Sequence, residues 1–165
     1  MKLYLVRHAI AHERNSTLWP DDSDRPLTKR GARRFKKAAR GLNCLVSEVD
    51  AVLSSPFQRA WHTANILEKA GWPAPMVCEE LARDEPTALI QALEPYADAE
   101  SLALVGHESH LSHFAAALLG WPRTPWTELK KGGVLCLNQK GLVLGAGAEI
   151  TWLLPPKGAS RPQPD

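Results

Sequence analysis

Residues 1–12 read MKLYLVRHAIAH, and the fold turns on how this stretch is read. Lys2–Val6 is too short for a helix, and its continuous apolar run Leu3-Tyr4-Leu5-Val6 fits a strand buried on both faces. The run stops at Arg7-His8, a cation followed by an imidazole. In open α/β sheets ligands bind just beyond the carboxyl ends of the strands, which is where this pair falls.

Outward from that stretch, short β-like runs alternate with helical patterns. Ala51-Val52-Leu53, Met76-Val77-Cys78 and Leu102–Val105 read as further strands. Thr28 suits the N-cap of a helix running to about Leu42, with Ala32, Phe35, Ala39 and Leu42 at helical spacing. Ser55-Pro56 is a start signal for a helix to about Ala70, closed by Gly71. Pro86 opens a helix to Leu93, and Leu111, Phe114, Ala115 and Leu118 mark another that Gly120 ends. Val134–Leu137 and Leu142–Leu144, joined through Lys140-Gly141, predict a hairpin, and Glu149–Leu154 a last strand. Ala11–Pro26 has no periodicity and reads as a long loop. The alternation predicts an α/β protein, a three-layer α/β/α sandwich with a mostly parallel central sheet. One domain is expected over residues 1–154, followed by a Pro-rich, disordered tail over 155–165.

Composition excludes several classes. A hydrophobic fraction of 44% argues against a disordered chain, and a net charge of +2 makes no case for nucleic-acid binding. Cys44, Cys78 and Cys136 are odd in number and widely spaced, unlike a disulfide framework or a zinc knuckle. No apolar run reaches transmembrane length and none precedes Arg7 that would serve as a signal peptide. A soluble, cytoplasmic protein with no membrane partner is the expectation.

The ends of the other strands add to Arg7 and His8. SSPFQRA places Arg59 near a helix start, and GHES places His107. Two arginines, two histidines and two helix N-termini at one sheet edge suit a phosphoryl or carboxylate dianion, because guanidinium groups give parallel charge-assisted bonds to two oxygens. Nearby cations keep an imidazole neutral, and a neutral imidazole can attack phosphorus to form a phosphohistidine. The second histidine, protonated, would stabilise charge on the equatorial oxygens. HESHLSH (107–113) is not HExxH, and one helix does not aim His107, His110 and His113 at one ion. Neither metal nor cofactor is expected. His12 is read as loop and His62 as surface.

Taken together, LVRHA, DRPLTKRG, SSPFQRAWHTA and LALVGHES resemble, in that order, the histidine phosphatase superfamily. Their spacing and the short chain are most similar to bacterial phosphohistidine phosphatases of the SixA type. The resemblance covers roughly residues 2–120 and implies a phosphoglycerate mutase-like fold. It implies His8 as the phosphorylated nucleophile and Arg7, Arg59 and His107 as the phosphate pocket, with no metal. Ala9 stands where many members have glycine. Larger members carry a carboxylate general acid after the third strand; here Glu79, Glu80, Asp84 and Glu85 crowd that region, with Glu80 preferred. A phosphohistidine substrate needs less acid assistance, since imidazole is a better leaving group than an alkoxide. The implied function is therefore a phosphatase that removes phosphate from phosphohistidine on a protein such as a phosphotransfer domain. The alternatives are a phosphatase of a small phosphorylated metabolite and, further off, a non-catalytic phosphoprotein-binding module.

Three further features were weighed. Lys29, Arg30, Arg33, Arg34, Lys36, Lys37 and Arg40 fall opposite the apolar stripe of their helix. A solvated face is the ordinary reading, and four like-charge i,i+4 pairs also suit a docking face for an acidic protein partner. Arg25 in DRPLT is read as tying the loop to the helix, ahead of a phosphate contact. Trp19 and Trp126 are read as aromatic packing rather than a substrate entrance.

Overall fold

β1 (Lys2–Arg7) alternates its side chains between two cores. Leu3 and Leu5 enter one, and Tyr4 and Val6 the other, all at 3% exposure or less. That double burial requires helices on both faces, as the continuous apolar run predicts. The computed structural model describes residues 1–46, 48–123, 127–145 and 147–156. Trp126 and residues 157–165, most of the expected tail, lie outside them.

The remaining elements are α1 (Lys29–Leu45), β2 (Ala51–Ser54), α2 (Gln58–Glu68), β3 (Pro75–Val77), α3 (Pro86–Leu93), β4 (Ser101–Gly106), α4 (His110–Leu119), β5 (Val134–Asn138) and β6 (Glu149–Leu154). Short 3-10 turns occur at Asp22–Asp24, Glu79–Ala82 and Glu94–Tyr96. The six-stranded sheet has the order β3-β2-β4-β1-β5-β6. Neighbours among β3, β2, β4 and β1 are parallel, whereas β5 runs antiparallel to both β1 and β6. α1 and α2 cover the face carrying Tyr4 and Val6. α3 and α4 cover the face carrying Leu3 and Leu5. The protein is thus an α/β/α sandwich of the phosphoglycerate mutase-like type.

Two local expectations change. The antiparallel partner of β5 is β6, not Leu142–Leu144. Gly141 and Gly145 turn the chain with φ of 74° and 78°, and Leu142 and Leu144 pack into the α3/α4 core from a loop. α2 begins at Gln58 rather than at Ser55-Pro56, because the Ser55 hydroxyl takes only the Phe57 N–H, at 3.3 Å, ahead of the helix. The other boundaries shift by a few residues at most, as fraying ends allow.

Candidate active site

Register brings the strand ends level. Arg7 of β1 pairs with Gly106 of β4, and Ser54 of β2 pairs with Val105 of β4. His8 and His107 therefore leave the sheet side by side, with Ser55, which follows Ser54, one row earlier. The His8 and His107 rings lie 5.3 Å apart between centroids and are tilted by 55°.

His8 is 6% exposed, and its Nδ1 lies 2.7 Å from the Ala9 carbonyl oxygen. A carbonyl only accepts, so Nδ1 carries the ring proton and Nε2 keeps a lone pair. The backbone after His8 is pinned from two sides. Ala9 N–H donates to Thr63 Oγ1 of α2 at 3.0 Å, and Thr28 N–H donates to the Ile10 carbonyl at 3.0 Å. α1 passes so near that carbonyl that a Cβ on Gly31 would lie 2.1 Å from its oxygen, which explains the glycine of DRPLTKRG.

The arginines share one pattern. Arg7 uses Nη1 for Glu128 Oε1, at 3.1 Å, and for the Leu129 carbonyl. Arg59, a residue that reads as ordinary helix surface when taken alone, is 5% exposed. Its Nη1 donates to the Asp22 carbonyl at 2.6 Å, and its Nη2 pairs with Asp22 Oδ2 at 3.0 Å. In both arginines the tips are held by protein, while Nε is buried without a hydrogen-bond partner among the described residues. His107 is arranged likewise. Its Nε2 lies 2.9 Å from Ser55 Oγ, and its Nδ1 is buried and unpartnered among the described residues. Ser55 Oγ also accepts from Phe57 N–H, at 3.3 Å. Phe57 stacks between His107, at 5.0 Å, and the Arg59 guanidinium, at 5.0 Å.

Burial, followed by the charges of Arg59, Arg7 and Arg25, pushes the His8 pKa down to about 3 against the pull of the Ala9 carbonyl. Burial, then His8, Arg59 and His110, lowers His107 to about 2. Both shifts favour the neutral imidazole in the free protein, against the expectation of a protonated His107.

The long loop supplies a hub at Asp22. Its carboxylate meets Arg25 Nε at 2.8 Å, Arg14 Nε at 3.6 Å and Arg59. These partners, hydrogen bonding from Arg25 foremost, hold its pKa below the usual range. Arg25, whose Nη1 donates to the His12 carbonyl at 2.6 Å, ties the loop down. Trp19 stacks on His12 within the same loop, with centroids 5.3 Å apart.

Among the expected acids, Asp84 is paired with His113 at 2.8 Å and with Arg123. Glu80, half-buried, accepts the Cys78 thiol at 3.4 Å. No hydrogen bond or ion pair joins Glu80 to His8, Arg7, Arg59 or His107 among the described residues. A carboxyl that the sequence reading passed over is Glu108, directly after His107. It bonds Ser112 through Oε1, and its Oε2 is buried and unpartnered among the described residues. Burial raises its pKa, and the Ser112 bond and the Arg7 charge oppose that shift. Its place inside GHES was the available signal. Among the described residues no group of three His, Cys, Asp or Glu side chains is arranged to hold a metal ion. No helix of the described residues is long and apolar enough to cross a membrane.

A sheet edge with two neutral histidines and two anchored arginines makes this a phosphate-handling α/β protein by fold and residue set. Residues 3–84 match the model of the histidine phosphatase superfamily (branch 1). An uncharacterized protein of Picosynechococcus sp. is 35% identical over 94% of this chain and 100% of its own length. Among solved structures, the protein histidine phosphatase SixA complexed with tungstate superposes with a TM-score of 0.78 at 21% identity, covering 95% of this chain and 98% of that one. A mycobacterial glucosyl-3-phosphoglycerate phosphatase gives 0.65 at 16% identity, covering 83% and 92%. At such identities these two likenesses concern the fold. The chain belongs to the histidine phosphatase superfamily, whose members are phosphatases.

Proposed function

We propose that this phosphatase hydrolyses phosphohistidine on a protein, such as a phosphotransfer domain, by a ping-pong route through His8. The observation that carries the reading is the free lone pair on His8 Nε2, in a ring 5.3 Å from that of His107, together with Arg7 Nε, Arg59 Nε and His107 Nδ1, each buried without a hydrogen-bond partner among the described residues. Guanidinium and imidazole groups left unpaired in this way suit the equatorial oxygens of a phosphoryl group in flight. His8 Nε2 attacks phosphorus, the bond from phosphorus to the leaving nitrogen breaks, and that nitrogen takes the bonding pair and departs as neutral imidazole, the other nitrogen of its ring already carrying a proton. Water then attacks the phosphorus, the N–P bond breaks, and inorganic phosphate leaves His8 neutral. No metal enters this route. A leaving imidazole asks little of a general acid, which accords with the modest placement of Glu80.

One observation favours a second reading, a phosphatase of a small phosphate ester. Glu108, half-buried and raised in pKa by that burial, has the character of an acid that can protonate an alkoxide. A phosphohistidine protein and an alkyl phosphate should be turned over side by side, with and without chelator, and quenched. An acid-labile, base-stable label on the chain that disappears in His8→Asn is the expected result; turnover surviving in His8→Asn would overturn the mechanism. Glu80→Gln and Glu108→Gln should leave phosphohistidine turnover within about threefold. A loss on the order of a hundredfold for the alkyl ester in either variant would identify the acid and favour the second reading.

A further inference from the structure

The basic face of α1 is not uniform. Lys29, Arg33, Lys36 and Arg40 recur at i, i+4, i+7 and i+11, one stripe spanning roughly 16 Å of helix. They line two hollows along the seam with α2. One, of about 490 Å³, is bordered by Leu27, Ala32, Arg33, Lys36 and His62. The other, of about 200 Å³, is bordered by Lys36, Arg40, Ile66, Lys69 and Ala70. Lys36 is common to both, so they form one furrow with a floor of small and aliphatic side chains and a cationic rim. α1 contains no acid, and the single acid of α2, Glu68, is exposed. Among the described residues none of the rim cations is ion-paired. Burial and the charges of Lys69 and Lys36 lower the pKa of His62, which borders the first hollow.

We propose that this furrow docks an acidic amphipathic helix of the phosphorylated substrate protein. The proposal rests on the phosphoprotein reading above and adds how that substrate is recognised. Charge complementarity selects the occupant: carboxylates along one edge of a helix meet the four-cation stripe, and its apolar edge meets the half-buried Ala32 and Ala70. The end of the furrow at Thr28 is tied to the segment after His8, since Thr28 N–H donates to the Ile10 carbonyl at 3.0 Å. Relief of the like-charge repulsion along α1 favours the bound state.

The test compares two equal charge reversals, Arg33→Glu/Lys36→Glu within the furrow and Arg30→Glu/Lys37→Glu on the outer arc of the same helix. The probes are an acidic helical protein phosphorylated on histidine with phosphoramidate, p-nitrophenyl phosphate, and a fluorescent Glu-rich amphipathic peptide. The furrow variant should lose about tenfold in kcat/KM on the phosphoprotein, carried by KM, and about tenfold in peptide affinity. The outer variant should lose less than about threefold, and p-nitrophenyl phosphate turnover should be unchanged in both. Equal losses in the two variants would overturn the proposal in favour of a diffuse field. Tighter, furrow-dependent binding of duplex DNA or anionic phospholipid vesicles would overturn it in favour of another occupant. Because peptide binding needs no catalysis, furrow-dependent binding without phosphohistidine turnover would sustain the docking site and refute only the substrate assignment.

Discussion

Asp22 holds Arg59 by both ends of its fork, which restricts how the guanidinium can turn, and leaves its Nε buried without a partner among the described residues. Asp22 is thus a positioning residue, and its charge also opposes anion binding. Asp22→Asn separates these effects. Loosening Arg59 should lower kcat about tenfold. Inorganic phosphate should inhibit the variant at least as strongly as the parent, since a negative charge near the site is gone. A matched loss of phosphate affinity would show that Asp22 acts as a spacer alone. The histidines give a second expectation at this scale. Unfolded, both titrate near 6.5. Folded, His8 titrates at about 3 and His107 at about 2. Between those limits the unfolded chain binds more protons, so stability falls as the pH drops from about 6.5 toward 3. Thermal melts over that window should show the decline, and His8→Asn or His107→Asn should make it shallower. Arg7, His8 and His107 were legible in the sequence because buried apolar strands ended on polar groups. The anchoring of Arg59 by Asp22 was not, because it joins residues 37 positions apart across a loop without periodicity.

Among the elements, α1 is set by its closest approach rather than by its charges. A methyl at Gly31 would meet the Ile10 carbonyl oxygen at 2.1 Å, and a backbone atom cannot yield as a side chain can. Gly31→Ala should cost about 2–3 kcal/mol in a denaturant melt, the upper range for overpacking. It should also lower turnover, since Ile10 lies two residues past His8. If turnover persists at full rate in the folded fraction, the segment after His8 is not held by this helix. Sequence periodicity located α1 and α4 and their apolar faces, because i,i+3 and i,i+4 spacing is a local property. It misplaced the partner of β5 for the converse reason. Which strand pairs with Val134–Asn138 depends on the sheet edge left open beside β1, and two glycine turns made the nearer run equally plausible.

Across the whole molecule, the parallel ladder makes the site. Arg7 and Gly106 are cross-strand partners although 99 positions separate them, and Ser54 of a third strand pairs with Val105, one row before them. The architecture was legible because β–α alternation permits few right-handed arrangements of a parallel sheet. The row of strand ends followed from it. The layout of the furrow did not, since it depends on how α1 and α2 sit against each other, beyond what either helix's own pattern specifies. The central position of β1 has a consequence for biogenesis. The strand that carries His8 leaves the ribosome before any of its neighbours, and its parallel partner β4 follows only after three helices and two more strands. A nascent chain therefore carries His8 long before His107 can meet it, and pairings so distant in sequence form slowly. During synthesis the His8 imidazole sits on an apolar segment without the groups that later surround it, so the candidate site arrives with the closing of the sheet rather than with the making of His8.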